Sequence, residues 1–201
     1  MDGIVVRRTT AADKDAVVSV IGRAFADQPN NLAVTRGDRE LSARMAGEGM
    51  RIVKFGRPYN DLWVAERDGR ILGALNAVRW PHCQMGLGEK LRTGSRLIFA
   101  LGTGTMRGMS IMRTWEQRDP RSDHVHLGPI GVDPDAQRIG VGTAMLRAYL
   151  EVADGEGVPT YLETDRETNL VFYERVGYRR IGDDEILGVR NWYMWRDVPS
   201  A

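Results

Sequence analysis

The segment DPDAQRIGVGTAML, residues 133–146, joins a proline-containing loop to a run of helix-forming residues, with Gly140 and Gly142 at the junction. The first backbone N–H groups of a helix have no partner within the helix, and the helix dipole gives that end a partial positive charge. Glycines there leave room for a ligand to approach the backbone. The segment therefore predicts a loop that can bind an anion such as phosphate, although an ordinary strand-to-helix turn has the same glycine spacing.

The strand before this loop, HVHLGPIGV at residues 124–132, contains Gly128 and Pro129. Proline has no backbone N–H, so it interrupts the hydrogen-bond ladder of a sheet. The pattern predicts a bulge in this strand, or a side that lacks a neighbouring strand. An extended ligand can pair with such a side, and an ordinary sheet edge is the alternative.

The remaining patterns predict alternating strands and helices. Apolar residues at helical spacing indicate helices, and short β-branched runs indicate strands. In chain order we expect a strand at 3–8, helices at 9–27 and 37–56, and a hairpin at 61–80 that turns at Asp68 and Gly69. A loosely helical segment at 81–118 follows. The C-terminal half is expected to contain a strand at 124–132, a helix at 137–154, a strand at 159–165, a helix at 168–177 and strands at 178–186 and 189–197. This order is typical of one α/β (α+β) domain, residues 1–201, with a mixed sheet and helices on its faces.

Composition excludes several classes of protein. The chain has 201 residues, a net charge of +1 and 42% hydrophobic residues, which is typical of a soluble globular protein and gives no basic field for nucleic acid. Cys83 is a single cysteine, so no internal disulfide can form, and no Cys/His spacing typical of a metal site occurs. We expect no metal, no membrane partner, a cytoplasmic location and a monomer or homodimer.

The stretch QRIGVGTA at residues 137–144 resembles the Q/RxxGxG/A signature of the GNAT superfamily of N-acetyltransferases, which bind acetyl-CoA. The segments IGVDPDAQRIGVG, YLETDRETNLVFYERVGY and the paired C-terminal strands stand in the order found in that family. The resemblance implies a GNAT-type mixed sheet with helices on both faces, in which a bulged fourth strand splays away from the fifth and leaves a gap for pantetheine. Arg138 stands where many members have glycine.

The same resemblance implies which residues bind acetyl-CoA. The bulged strand would contact pantetheine through its backbone, the signature loop would wrap the pyrophosphate, and the helix at 168–177 would approach the thiol end. The expected cofactor-binding residues are Ile130, Gly131, Val132, Gln137, Arg138, Ile139, Gly140, Val141, Gly142, Thr143, Asn169, Phe172 and Tyr173.

Within the family, AFADQP, LWVAERDG, VPTYLET and NLVFYERVGY are similar to segments of the puromycin N-acetyltransferases and related antibiotic-modifying enzymes. This similarity implies direct transfer of acetyl to the primary amine of a small molecule in a ternary complex. A protein or peptide N-acetyltransferase and a non-catalytic acyl-CoA-binding sensor are the alternatives. The stretch RLIFALGTGTMRG at 96–108 has GxGxxxG spacing and no flanking strand–helix–strand pattern, which argues against a dinucleotide site.

Acetyl transfer to an amine needs a proton acceptor at the amine and a proton donor for the departing thiolate. Tyr173 is the expected donor, because the family resemblance favours an acid there and Tyr173 lies one helical turn after Asn169. A packed aromatic side chain is the alternative interpretation of Tyr173. His126 is the expected base, with Glu163 as its rival.

Acceptor recognition is expected from the segment 81–118 and from residues Phe25, Asp27, Trp80, Trp115 and His124. Asp27 is a candidate partner for a cationic amine, although an aspartate near Pro29 is also a common turn residue. The glycines of 81–118 are typical of a lid that moves on binding, or equally of loosely packed surface helices.

Overall fold

Seven strands form one mixed sheet in the computed structural model, which describes residues 3–55, 57–84, 86, 88–90 and 104–199. In chain order the strands are β1 (Val5–Arg8), β2 (Asn60–Arg67), β3 (Arg70–Arg79), β4 (Val125–Val132), β5 (Thr160–Thr164), β6 (Arg179–Ile186) and β7 (Val189–Arg196). They lie across the sheet in the order β1-β2-β3-β4-β5-β7-β6, and β4 and β5 are the parallel pair. The predicted mixed sheet is confirmed.

The longer helices are α1 (Lys14–Ala24), α2 (Pro29–Thr35), α3 (Arg39–Gly49), α4 (Gly104–Arg118), α5 (Val141–Gly155) and α6 (Thr168–Glu174). Consecutive strand residues such as Ala74 and Leu75 point to opposite faces of the sheet. Ala74 belongs to an apolar core with α1, whereas Leu75 belongs to a larger core with α5 and α6. Helices therefore cover both faces, as predicted.

β4 and β5 are neighbours for only a short distance. Val125 pairs with Thr160 and His126 pairs with Tyr161, and these are the paired positions of the two strands within the described residues. Beyond His126 the strands separate, so a gap opens in the middle of the sheet. The predicted splaying of the fourth strand is confirmed.

On its other side, β4 remains paired with β3 through a bulge. Leu75 opposes Ile130, and Ala77 opposes Leu127. An advance of two residues along β3 therefore corresponds to three residues along β4. β4 has one extra residue here, at Gly128 and Pro129. The bulge predicted from the proline is confirmed.

One helix prediction needs correction, and one helix was not predicted. The helix predicted at 137–154 begins at Val141, because Arg138 and Gly140 have φ angles of +65° and +92° that a helix does not accommodate. No sequence pattern predicts α2, since PNNLAVT is short and lacks an apolar stripe. Pro29 begins α2, where a fixed φ favours the first turn, and Arg36 ends it with a φ of +56°.

The hairpin turn is confirmed, since Asp68 and Gly69 have φ angles of +53° and +75°, as a type I′ turn requires. The predicted loose helix at 81–118 contains α4, which is a regular helix of 15 residues. Residues 91–103, which include most of RLIFALGTGTMRG, lie outside the described ranges. Among the described helices, none combines the length and apolar character needed to cross a bilayer.

α1 and α3 approach each other closely where each carries a glycine. A Cβ on Gly22 would lie 3.0 Å from the Ala43 carbonyl oxygen, and one on Gly47 would lie 3.1 Å from the Val18 carbonyl oxygen. Sequence patterning identifies Gly47 only as a weak helix former. Its packing role explains why a glycine occupies the middle of this helix.

We expect Gly47→Ala to destabilise the fold by about 1–3 kcal/mol, because the added methyl group overpacks the α1–α3 contact. Gly49→Ala is the matched control in the same helix, since no atom lies within 4 Å of its Cβ position. That control should be neutral or stabilising by up to about 1 kcal/mol from helix propensity alone. Urea unfolding measures both free energies, and equal effects of the two substitutions would contradict the packing argument.

Candidate active site

The loop between β4 and α5 contains two residues with positive φ angles. Arg138 and Gly140 occupy the left-handed region, and α5 begins at Val141 directly after them. Gly140 is the N-cap residue and offers no side-chain hydrogen bond to the helix. The first N–H groups of α5 therefore lie at the positive end of the helix dipole without a side-chain cap.

This loop lies beside the end of β4 and beside α6. A Cβ on Gly142 would sit 3.5 Å from Val132 Cγ2 and 3.8 Å from Phe172 Cζ. Asn169 Nδ2 donates a hydrogen bond to Thr164 Oγ1 at 3.2 Å, which ties α6 to the end of β5. Cofactor-binding residues predicted from three separate segments thus lie around the same gap.

The backbone of β4 also faces this gap. The Asp133 N–H donates to the Leu72 carbonyl of β3 at 2.8 Å. Since successive strand N–H groups point to opposite sides, those of Val132 and Ile130 point away from β3 and into the gap. Gln137 Nε2 donates to the Val132 carbonyl at 3.3 Å, as expected for a carbonyl on that side. These groups have the chemistry to pair with the amides of an extended ligand.

A buried carboxylate anchors the start of the loop. Asp133 is 0% exposed and follows directly after β4. It accepts hydrogen bonds from the Arg23 guanidinium, from Arg70 Nη2 at 3.1 Å and from the Asp135 N–H at 3.1 Å. These bonds fix the point at which the chain leaves the sheet.

At the fork between β4 and β5, five polar side chains share hydrogen bonds. His126 Nε2 lies 2.8 Å from Glu163 Oε2, and His126 Nδ1 lies 3.2 Å from Asp119 Oδ1. The same Asp119 oxygen lies 3.2 Å from His124 Nε2, and the Cys83 thiol donates to Asp119 Oδ2 at 3.2 Å. Asp119, which follows α4, connects the two histidines predicted to share a strand face.

Both imidazoles favour the protonated state. Burial alone would lower the pKa of His126, but the carboxylates of Glu163 and Asp119 outweigh burial and raise that pKa well above its ordinary value. Burial likewise opposes charge on His124, yet its hydrogen bond with Asp119 raises the pKa of His124 to about 9. An imidazole that already carries a proton is a poor general base.

Glu163 has the free acceptor atom that His126 lacks. Its Oε2 takes the His126 hydrogen bond, whereas its Oε1 is buried without a hydrogen-bond partner among the residues the structure describes. A buried carboxylate oxygen without a donor is costly, so Oε1 retains the capacity to accept a hydrogen bond.

Tyr173 lies at the inner side of α6. Its side chain is 7% exposed and contacts the Tyr178 ring edge-on, with 5.8 Å between the ring centroids. Burial raises the pKa of Tyr173 above its ordinary value, so the hydroxyl stays protonated at neutral pH. Tyr173 is therefore packed in the core and carries its hydroxyl proton at neutral pH.

The predicted acceptor residues do not form one set. His124 is 0% exposed, so its role is internal and the prediction of substrate contact is corrected. Asp27 forms a surface ion pair with Arg39 at 2.5 Å, so its carboxylate already has a cationic partner. Trp115 Nε1 donates to Asn191 Oδ1 at 3.1 Å, which gives its indole a structural contact.

Phe25 and Trp80 adjoin β4 at different positions. A Cβ on Gly131 would lie 3.0 Å from Phe25 Cε2, so Phe25 packs directly on the bulged strand. The Trp80 N–H donates to the His124 carbonyl at 2.9 Å, near the paired end of β4. Phe25 therefore lies closer to the gap along the strand than Trp80 does.

Sequence reasoning missed the carboxylates of Asp119 and Asp165. Asp165 is buried after β5 and accepts hydrogen bonds from the Asn30 N–H at 2.7 Å and from the Gln28 amide. Burial raises the pKa of Asp165, although these hydrogen bonds oppose the shift. Asp165 contacts residues 135 and 137 positions away in the chain, and Asp119 contacts Cys83 36 positions away, so no spacing pattern indicated these contacts.

Comparison with known proteins gives consistent matches. The profile of the acetyltransferase (GNAT) family matches residues 36–178. N-alpha-acetyltransferase RimI of Mycobacterium tuberculosis is 35% identical over 79 residues, which are 39% of this chain and 49% of that protein. Mycothiol acetyltransferase of Thermomonospora curvata is 28% identical over 190 residues, which are 91% of this chain and 46% of that protein. The chain thus spans about half the length of these curated relatives.

Solved structures share the fold. A Corynebacterium glutamicum structure, described as histone acetyltransferase HPA2 and related acetyltransferase, matches with a TM-score of 0.68 and 20% identity, over 99% of this chain and 98% of that one. YncA from Salmonella typhimurium, solved with acetyl-CoA, matches with a TM-score of 0.60 and 12% identity, over 100% of this chain and 96% of that one. The narrower resemblance to the puromycin N-acetyltransferases is not confirmed, because the curated relatives carry other names.

We expect Asp133→Asn to destabilise the fold by about 2 kcal/mol, because it weakens the buried charge-assisted hydrogen bonds from two arginines. Asp135→Asn is the matched control in the same loop. Its carboxylate is 70% exposed, so the change should stay within about 0.5 kcal/mol. Thermal and urea unfolding measure the two effects, and a neutral Asp133→Asn would show that the ion pairs do not anchor the loop.

Proposed function

Because the chain belongs to the acetyltransferase (GNAT) family, we propose that it transfers acetyl from acetyl-CoA to the primary amine of a small molecule within a ternary complex. The observation that carries this proposal is the gap between β4 and β5, which opens directly beside the uncapped N-terminus of α5. An extended chain with an anionic end matches both features, since the gap offers unpaired strand amides and the helix end offers N–H groups.

Acetyl-CoA supplies an activated acetyl thioester when it is bound. The backbone N–H groups of Ile130 and Val132 would orient the pantetheine portion, and the loop from Gln137 to Thr143 would hold the pyrophosphate. The N–H of Val132, or that of a neighbouring residue, would also stabilise negative charge on the reacting carbonyl oxygen. Phe172 and Asn169 would border the thiol end from α6.

Glu163 is the proposed proton acceptor. Its Oε1 is the buried oxygen that has no hydrogen-bond partner among the described residues. Glu163 lies two residues after Tyr161, which forms the last β4–β5 pair. His126 is the proposed positioning residue, because its protonated ring holds Oε2 and leaves Oε1 for the amine. This assignment places the proton acceptor at the fork of the gap.

Tyr173 is the proposed proton donor to the departing thiolate. Burial of the side chain raises the pKa of Tyr173, so its hydroxyl remains protonated at neutral pH, as a donor must. The donor from α6 and the acceptor from β5 would then serve opposite ends of the transfer.

A small-molecule acceptor is favoured over a protein N-terminus. The mycothiol acetyltransferase match spans 91% of this chain, whereas the RimI match spans 39%. Antibiotic amines belong to the small-molecule class, and the segments similar to antibiotic-modifying enzymes support their inclusion as candidates. The RimI match makes a peptide N-terminus the second candidate acceptor.

The test is thiol release from acetyl-CoA across aminonucleosides, aminoglycosides, polyamines, amino sugars and short peptides. We expect release that depends on a small amine. Tyr173→Phe and Glu163→Gln should each reduce kcat by about 100-fold or more. Tyr149→Phe, which removes a hydroxyl from a buried tyrosine of α5, is the matched control and should retain activity.

Three results would revise this proposal. A preference for peptides would move the acceptor to the protein class. Acetyl-CoA binding without turnover on any acceptor would favour a sensor. Full activity of Tyr173→Phe or Glu163→Gln would remove that residue from the chemistry.

We expect Gly140→Ala to weaken acetyl-CoA binding by roughly tenfold, because a φ of +92° costs an alanine about 1–2 kcal/mol and distorts the loop. Gly157→Ala is the matched control, since Gly157 has a φ of +67° after the other end of α5. The Gly157→Ala variant should carry similar backbone strain and bind acetyl-CoA with unchanged affinity. Isothermal titration calorimetry measures both, and equal affinity losses would indicate general destabilisation.

A further inference from the structure

Four side chains from three separate segments converge next to the closed end of the β4–β5 pair. The four-ligand cluster consists of Cys83, Asp119, His124 and His126. Each contributes one sulfur, oxygen or nitrogen atom, and these atoms all lie within 4.8 Å of one another. Cys83 follows β3, Asp119 follows α4, and the two histidines flank the start of β4.

The distances within the cluster match those between ligands of one metal ion. The carboxylate oxygens of Asp119 lie 3.2 Å from Cys83 Sγ, from His124 Nε2 and from His126 Nδ1. Zinc bonds of about 2.0–2.3 Å at tetrahedral angles place neighbouring ligand atoms about 3.3–3.8 Å apart. The other ligand atoms lie within 4.8 Å of one another, so bringing all four around one ion needs side-chain movements of about 1 Å.

Outer hydrogen bonds orient both imidazoles toward the cluster. His124 Nδ1 lies 2.8 Å from the Ser122 carbonyl oxygen, which can only accept, so Nδ1 carries the proton and Nε2 faces Asp119. His126 Nε2 likewise faces the Glu163 carboxylate at 2.8 Å, which leaves Nδ1 toward Asp119. A metal-bound histidine characteristically donates its other N–H to a carbonyl or carboxylate.

The charge and burial of the cluster also suit a divalent ion. Metal binding would displace one proton from the Cys83 thiol and one from each protonated imidazole, and the resulting thiolate and carboxylate carry two negative charges that neutralise a divalent cation. Asp119 and His124 are buried, and the Tyr161 ring packs edge-on against both imidazoles. A neutral assembly avoids the cost of an isolated charge in such surroundings.

The geometry points to a binding site for one divalent transition-metal ion of the zinc class at the four-ligand cluster. The thiolate and imidazole ligands favour such an ion over magnesium or calcium, which prefer oxygen. Four protein ligands are typical of a closed, structural site. The ion would tie the loop after β3 and the end of α4 to β4. This inference does not depend on the proposed acetyl transfer.

Cobalt(II) titration of chelator-treated, full-length protein tests the site. We expect one ion per chain, with the strong visible d–d bands of tetrahedral cobalt and a thiolate-to-metal charge-transfer band. Because Cys83 is the single cysteine, that band identifies its ligand without ambiguity. Zinc should displace cobalt stoichiometrically, with a dissociation constant below about 1 µM.

Cys83→Ala should abolish the charge-transfer band and weaken binding at least tenfold. His82→Ala is the matched control, because the His82 ring stacks on Tyr59 outside the cluster and its loss should leave the spectrum unchanged. Zinc should also protect Cys83 of the wild-type chain from a thiol reagent, a readout that does not require a folded variant. Cobalt binding without the thiolate band, or thiol reactivity that zinc leaves unchanged, would overturn the site.

Discussion

The separation of β4 from β5 is the structural constraint on which the rest of the site depends. β4 stays on the β3 side because its bulge preserves that pairing and because α1 packs against it at Gly131. Strand amides on the gap side then lack the partners that a continuous sheet would provide. The loop 133–140 joins the end of β4 to the start of α5, and Gly142 in the first turn of α5 lies beside Val132, so the positive end of α5 borders the same gap. A slot lined with unpaired backbone and ending at the N-terminus of α5 is the consequence.

Buried carboxylates hold the two ends of this slot. At the open end, Asp133 accepts two arginines and fixes the loop before α5. At the closed end, Glu163 and Asp119 share His126, so the last paired residue of β4 connects the gap to the four-ligand cluster. A metal on Nδ1 of His126 would leave its Nε2 contact with Glu163 in place. The proposed ion site and the proposed proton acceptor are therefore compatible neighbours.

Sequence reasoning was most successful where chemistry is local. The bulge follows from Pro129, the hairpin turn from Asp68 and Gly69, and the helix–loop junction from the spacing of Gly140 and Gly142. The beginning of α5 was misplaced because Arg138 adopts a left-handed conformation that residue type does not reveal.

Long-range polar contacts were beyond sequence reasoning. Asp119 contacts Cys83, which is 36 positions away in the chain, and Gln28 contacts Asp165, which is 137 positions away. No sequence spacing indicates either contact. The choice between His126 and Glu163 likewise depends on burial and on neighbouring charges rather than on residue type. The internal role of His124 depends on its contact with Asp119, which the residue pattern does not indicate.

Amide hydrogen exchange with and without acetyl-CoA tests most directly whether the gap and the uncapped helix form the cofactor site. The account predicts slower exchange at Ile130, Val132 and the loop 138–143, with little change in the distant β6–β7 hairpin. Protection confined to other segments, or acetyl-CoA binding that leaves these amides unchanged, would contradict it.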